Sequence, residues 1–174
     1  MRIDWRVPIV AVSLLALLPR ASAAETIDRV LAVVAGQIIT LSDVTAAREL
    51  GLQTPDNAAD PVRAVLSKLI DRELVLSEVE RYAPPEPAAD AIEREVDRIR
   101  ARFPSAEAFA AALARSGLED RHLREMLRQD LRIRGYEFQR FLTADPTRRQ
   151  TLIDDWIAGL RRRADIIDLY LATR

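Results

Sequence analysis

A chain of 174 residues that is 49% hydrophobic and 30% charged can form one packed domain, or at most two, and is too apolar for global disorder. Its 26 basic residues are matched by 27 acidic ones, so it lacks the basic excess that nucleic-acid binding requires. It has no cysteine, which excludes disulfides, thiol redox chemistry, cysteine nucleophiles and thiolate metal sites.

The chain opens with Arg2 and Arg6, an apolar run from Val7 to Leu18, and small residues at Ala21-Ser22-Ala23. This is the pattern of a secretory signal over residues 1–23, and its apolar run is short for a bilayer span. Cleavage before Ala24 leaves a mature domain of residues 24–174 with no stable membrane insertion. Arg20 is an unusual residue so near the cleavage site, and a retained anchor is the alternative.

The mature chain begins with DRVLAVVAGQIITLSDV, residues 28–44. β-Branched residues crowd both sides of Gly36, which predicts a hairpin turning at that glycine. Thr40 and Asp43 have the spacing of a capping box, so a short helix follows and stops near Gly51. Asp60-Pro61 signals a second start, with a broad apolar face through Val62, Val65, Leu66, Leu69, Ile70, Val75, Leu76 and Val79. Pro84-Pro85-Glu86-Pro87 breaks the chain.

The next helix carries a narrow stripe at Ile92, Val96, Ile99 and Phe103. A short Ala-rich helix with Phe109 and Leu113 ends at Gly117, which suits the left-handed position after a helix end. A long helix then runs from Glu119 or Asp120 to about Leu142. Asp145-Pro146 repeats the start signal, and a last helix to about Ala164 turns Leu152, Ile153, Trp156, Ile157 and Leu160 inward. Beyond Asp165 the period changes: Ile167, Leu169 and Leu171 alternate as in a strand. A lone hairpin is marginal in water, so this strand is expected to complete its sheet. The predicted fold is mainly α: about six helices, with a small antiparallel sheet joining the N-terminal hairpin to the C-terminal strand. Val30, Ala32 and Val34 are expected on one sheet face, Leu31, Val33 and Ala35 on the other.

No constellation for catalysis stands out. His122 is the only histidine and has no metal-ligand partners at a suitable spacing. Asp154-Asp155 are adjacent on a helix and diverge; the serines have no histidine base in a known motif, and the glycines form no phosphate loop. Catalytic, cofactor-binding and metal-binding residues are therefore all expected to be none. The residues that suit a groove for an extended polypeptide are Phe103, Phe109, Met126, Tyr136, Phe138 and Phe141. The competing reading of each is a place in the core.

The hairpin and its Ser-Asp helix start resemble the opening of SurA-like periplasmic chaperones. Leu69-Ile70-Asp71-Arg72-Glu73-Leu74 is similar to that family's helix motif, Phe109 to Leu131 to its helical pair, and LIDDWIAGLRRRADIIDLYL (152–171) to its return segment. The resemblance covers about residues 28–142 and the C-terminal stretch, with residues 146–174 returning onto the hairpin. It departs at one place: only Leu142 to Thr151 stand where the family carries whole parvulin isomerase domains. It implies a periplasmic, non-enzymatic chaperone module whose partners are unfolded or outer-membrane polypeptide clients. An adaptor with one dedicated envelope partner is the alternative, and a prolyl isomerase of unfamiliar type the remote one. The short hinge before the return segment makes domain swapping a route to a homodimer.

Overall fold

A computed structural model describes residues 28–171; the signal pattern at residues 1–23 lies outside the described residues. The chain begins with β1 (Val30–Val34) and β2 (Gln37–Thr40). Ala35 and Gly36 turn between them with φ of 50° and 81°, the left-handed backbone of a two-residue hairpin that matches strand twist. Gly36 adopts it freely, whereas Ala35 bears a steric cost of about 1–2 kcal/mol. The missing third strand is β3 (Ile166–Asp168), and it pairs antiparallel with β1, giving the order β2-β1-β3.

The pairing Val30↔Thr40 followed by Ala32↔Ile39 leaves Leu31 as an extra residue in β1. This bulge corrects the simple alternation expected for the strand. Leu31, Ala32 and Val34 are all buried, while Val33 is half-buried on the outer face. On β3 the alternation points the other way from a core-facing strand. Ile166 packs on the core, whereas Ile167 and Leu169 are exposed.

Six helices follow the hairpin among the described residues: α1 (Leu41–Glu49), α2 (Pro61–Tyr82), α3 (Ala89–Arg100), α4 (Ala106–Arg115), α5 (Asp120–Arg140) and α6 (Arg149–Arg163). Thr40 caps α1 through the predicted box: the Asp43 amide donates to Thr40 Oγ1 (3.3 Å) and the Thr40 amide to Asp43 Oδ2 (2.8 Å). Asp60 caps α2 by accepting from the Arg63 amide at 2.9 Å, with Pro61 at the first helical position. Asp145-Pro146 does something else. Asp145 accepts from the Thr147 amide and hydroxyl (2.8 and 2.7 Å), closing a local turn, and α6 starts only at Arg149 without a side-chain cap.

Two apolar cores share α5. The first gathers the sheet, the buried face of α2, Tyr136 near the end of α5, and Leu160 of α6. The second gathers Leu50, Val96 and Ile99 of α3, Phe109, Ala112 and Leu113 of α4, and Leu123 and Leu127 of α5. At 1.5 Å per residue, α5 is roughly 30 Å long, enough to brace both cores. Leu52, in the α1–α2 loop, packs against each of them.

The segment Leu69–Leu74 is the joint of this scaffold. Leu69, Ile70 and Leu74 are buried in the first core. Asp71 pairs with Arg161 of α6, whose guanidinium also donates to the Ser67 carbonyl (2.7 Å) and hydroxyl (2.8 Å). Arg72 binds Asp130 of α5 at 2.7 Å and its own neighbour Glu73 at 2.8 Å. The return segment is fastened just as widely. Asp168 pairs with Arg63, and the Tyr170 hydroxyl donates to Asp60 at 2.9 Å. The guanidinium groups of Arg29 and Arg63 each lie under 6 Å from the centre of the Tyr170 ring, at 5.8 and 5.9 Å.

Candidate functional site

The six aromatic and methionine residues singled out in the sequence do not line one groove. Phe103 lies just beyond α3 and meets Phe109 edge-on at 5.5 Å. Phe109 is 5% exposed within the second core. This pair is packing, and its place in a groove is corrected: the stripe of α3 continues into the turn after Arg100 and folds onto α4. Met126 is half-buried and borders a groove beside β2. Tyr136, Phe138 and Phe141 gather at the far end of α5.

That end presents an apolar surface. Tyr136 is buried at its base, with Tyr82 of α2 stacked on it at 5.5 Å and Trp156 of α6 tilted against it at 6.0 Å. Phe141 meets Trp156 edge-on at 5.9 Å, and the Arg140 guanidinium lies 5.1 Å from the centre of the Trp156 ring. Tyr82, Phe138 and Leu142, at the ends of α2 and α5, are exposed by 59%, 56% and 55%. Leu152, one helical turn before Trp156, is also exposed, which corrects its expected inward position. Of these residues the sequence singled out Phe138 and not Tyr82, Leu142, Leu152 or Trp156. A signal was present for Phe138: it follows Tyr136 by two positions, so it leaves the buried face of the helix.

Two concave surfaces lie elsewhere. A cleft of about 440 Å³ opens where the two cores meet, floored by Val75, Ile99, Leu127 and Ile133. Most charges on its rim are already engaged: Arg72 with Asp130, Arg134 with Glu95 at 3.4 Å, Asp71 with Arg161 of α6, Lys68 with Asp56, and Arg102 with the Gly51 carbonyl. Glu137 is the exception. Burial pushes its carboxyl above the ordinary range, and no cation acts against that shift. The second concavity, of about 340 Å³, runs between β2 and the α2–α5 pair. Burial raises the Glu73 carboxyl there; Arg72 opposes the rise, and the charges of Glu80 and Asp43 add to it.

Among the described residues no group of His, Asp and Glu side chains is arranged to hold a metal ion, and no helix is long and apolar enough to cross a membrane. The chain matches no protein-family profile and no curated protein.

Proposed function

We propose that the chain is an exported, chaperone-like module that holds unfolded polypeptide segments by apolar contact at the aromatic end of the α2, α5 and α6 bundle. One observation carries this reading: Tyr82, Phe138, Leu142 and Leu152 are left exposed where α2 and α5 end and α6 begins, the same end that holds the Tyr136–Trp156–Phe141 cluster. Large apolar groups left exposed together at one end of a bundle mark interaction surfaces. The resemblance to SurA-like chaperones supports the same reading. With no isomerase domain between Phe141 and Leu152, the module binds without catalysing. Mature protein recovered from the periplasm is expected to begin at Ala24 or Glu25, and an intact Met1 on membrane-bound material would make residues 1–23 an anchor.

The test is light scattering from a panel of unrelated unfolding proteins. The mature chain is expected to suppress aggregation across the panel. Phe138→Ser with Leu142→Ser is expected to abolish most of that suppression while leaving the denaturation midpoint in place, because both side chains are largely in water already. Failure across the whole panel, with one folded protein bound tightly, would instead make the chain an adaptor.

A further inference from the structure

β2 is an edge strand, and the β1–β2 register shows which of its backbone groups are free. In an antiparallel pair, bonded and non-bonded positions alternate. Val34↔Gln37 closes the two-residue turn and is a bonded pair; Val33↔Ile38 is then non-bonded and Ala32↔Ile39 bonded. The other side of β1 agrees, since the Leu169 amide donates to the Leu31 carbonyl, so Leu31 and Val33 direct their groups to β3. The amide and carbonyl of Ile38 therefore point away from the sheet, and its side chain is 60% exposed.

Beside this edge runs the groove of about 340 Å³. Leu69 and Leu76 of α2, Ile39 of β2 and Met126 of α5 give it an apolar lining. Three carboxylates border it, Asp43, Glu73 and Glu80, against one cation, Arg72. Arg72 is already committed: Nε to Asp130 (2.7 Å), Nη1 to Glu73 (2.8 Å) and Nη2 to Gln129 (3.0 Å) and to the Met126 carbonyl (3.3 Å). The groove thus joins an open strand edge, an apolar lining and an excess of negative charge.

We propose that this groove takes an extended, cationic polypeptide segment as an added strand on β2, with an apolar side chain between α2 and Met126 and Lys or Arg on either side facing Asp43, Glu73 and Glu80. Side chains on one face of a strand recur every second residue, so the recognised pattern is basic–x–apolar–x–basic. The inference rests on the polypeptide binding proposed above and gives it a second contact of defined chemistry, away from the aromatic end.

The test uses a labelled peptide containing Lys-Thr-Leu-Thr-Lys, its Glu-Thr-Leu-Thr-Glu counterpart, and the lysine peptide N-methylated at its central amides, each titrated by fluorescence anisotropy against the mature chain. The lysine peptide is expected to bind about tenfold more tightly than the glutamate peptide, as two or three partly exposed ion pairs allow. N-methylation, which removes the backbone donors, is expected to abolish binding. Glu80→Lys is expected to erase the preference for lysine, while Phe138→Ser with Leu142→Ser leaves it intact. Undetectable binding of the lysine peptide, equal binding of the two charge forms, or indifference to N-methylation would each overturn the inference. The proposed function fails separately, by loss of aggregation suppression.

Discussion

Replacing Asp165–Leu171 with a Gly/Ser tail of equal length removes β3 while keeping the end of α6 away from a new terminus. The loss can be worked from the seam. The Leu169–Leu31 bond and the bonded Val33↔Ile167 pair supply about three hydrogen bonds, each contributing a net ~0.5–1.5 kcal/mol. Ile166 is half-buried on the first core, so its transfer contributes roughly half of the 1.5–3 kcal/mol of a fully buried side chain. Together these come to about 2–6 kcal/mol, a large fraction of a typical total of about 5–15 kcal/mol. Urea titration of residues 24–174 reads this directly. Trp156 is the only tryptophan after Ala24, and it packs against the first core. With a slope of about 1–3 kcal/mol/M, the midpoint is expected to fall by about 2 M. An unchanged midpoint would mean that the sheet holds without β3, and the account of how the chain's two ends stabilise each other would be wrong.

Leu66→Ala in the first core and Leu123→Ala in the second, each fully buried, are expected to cost about 2–5 kcal/mol apiece. Because α5 braces both cores, each change is expected to shift the same single transition seen by Trp156 fluorescence and by circular dichroism. Two separate transitions would show that the cores unfold independently. Glu137→Gln is expected to raise stability at neutral pH. Burial lifts the folded carboxyl above its ordinary 4.5, so the folded chain holds that proton more tightly than the unfolded chain does. The wild type is therefore most favoured at this position below 4.5 and loses that advantage as pH rises through the raised value; midpoints measured across that window are expected to be flatter in the variant. No acceleration of cis–trans exchange is expected in a proline peptide assay. Uncatalysed exchange takes roughly tens to hundreds of seconds, so catalysis by the pure protein would be plain and would refute the non-enzymatic reading.

The parts of the fold that were legible in the sequence rest on local chemistry. Thr40 with Asp43, Asp60 with Pro61, and Gly117 after α4 each satisfy orphaned backbone groups within a few residues, so their effect can be read without knowing the rest of the chain. The return strand was legible because the period changes at Asp165. Its facing was not, because alternation gives two faces and does not say which one meets the core; Ile166 took that place, and Ile167 and Leu169 turned out. The bulge at Leu31 left no local mark, since an extra residue in one strand is defined only by its partner. Asp145-Pro146 carried the right residues for a helix start, but Thr147 satisfied Asp145 first. The candidate site was harder still. Phe109 and Phe138 are alike in a list of apolar positions, and only packing makes one core and the other surface.

The same distinction bears on what the family resemblance can support. The helix motif Leu69–Leu74 spends most of its side chains inside the scaffold: three leucine and isoleucine side chains in the core, Asp71 on α6 and Arg72 on α5. A motif used in this way constrains how helices join and says little about what they hold. The surface proposed at the aromatic end is built from residues outside it, at Tyr82, Phe138, Leu142 and Leu152, whereas the groove beside the β2 edge takes Leu69, Arg72 and Glu73 from the motif itself. At the aromatic end, scaffold and ligand preference can therefore change independently. That is why the proposed function is tested at exposed positions, where a substitution alters binding without disturbing the joint.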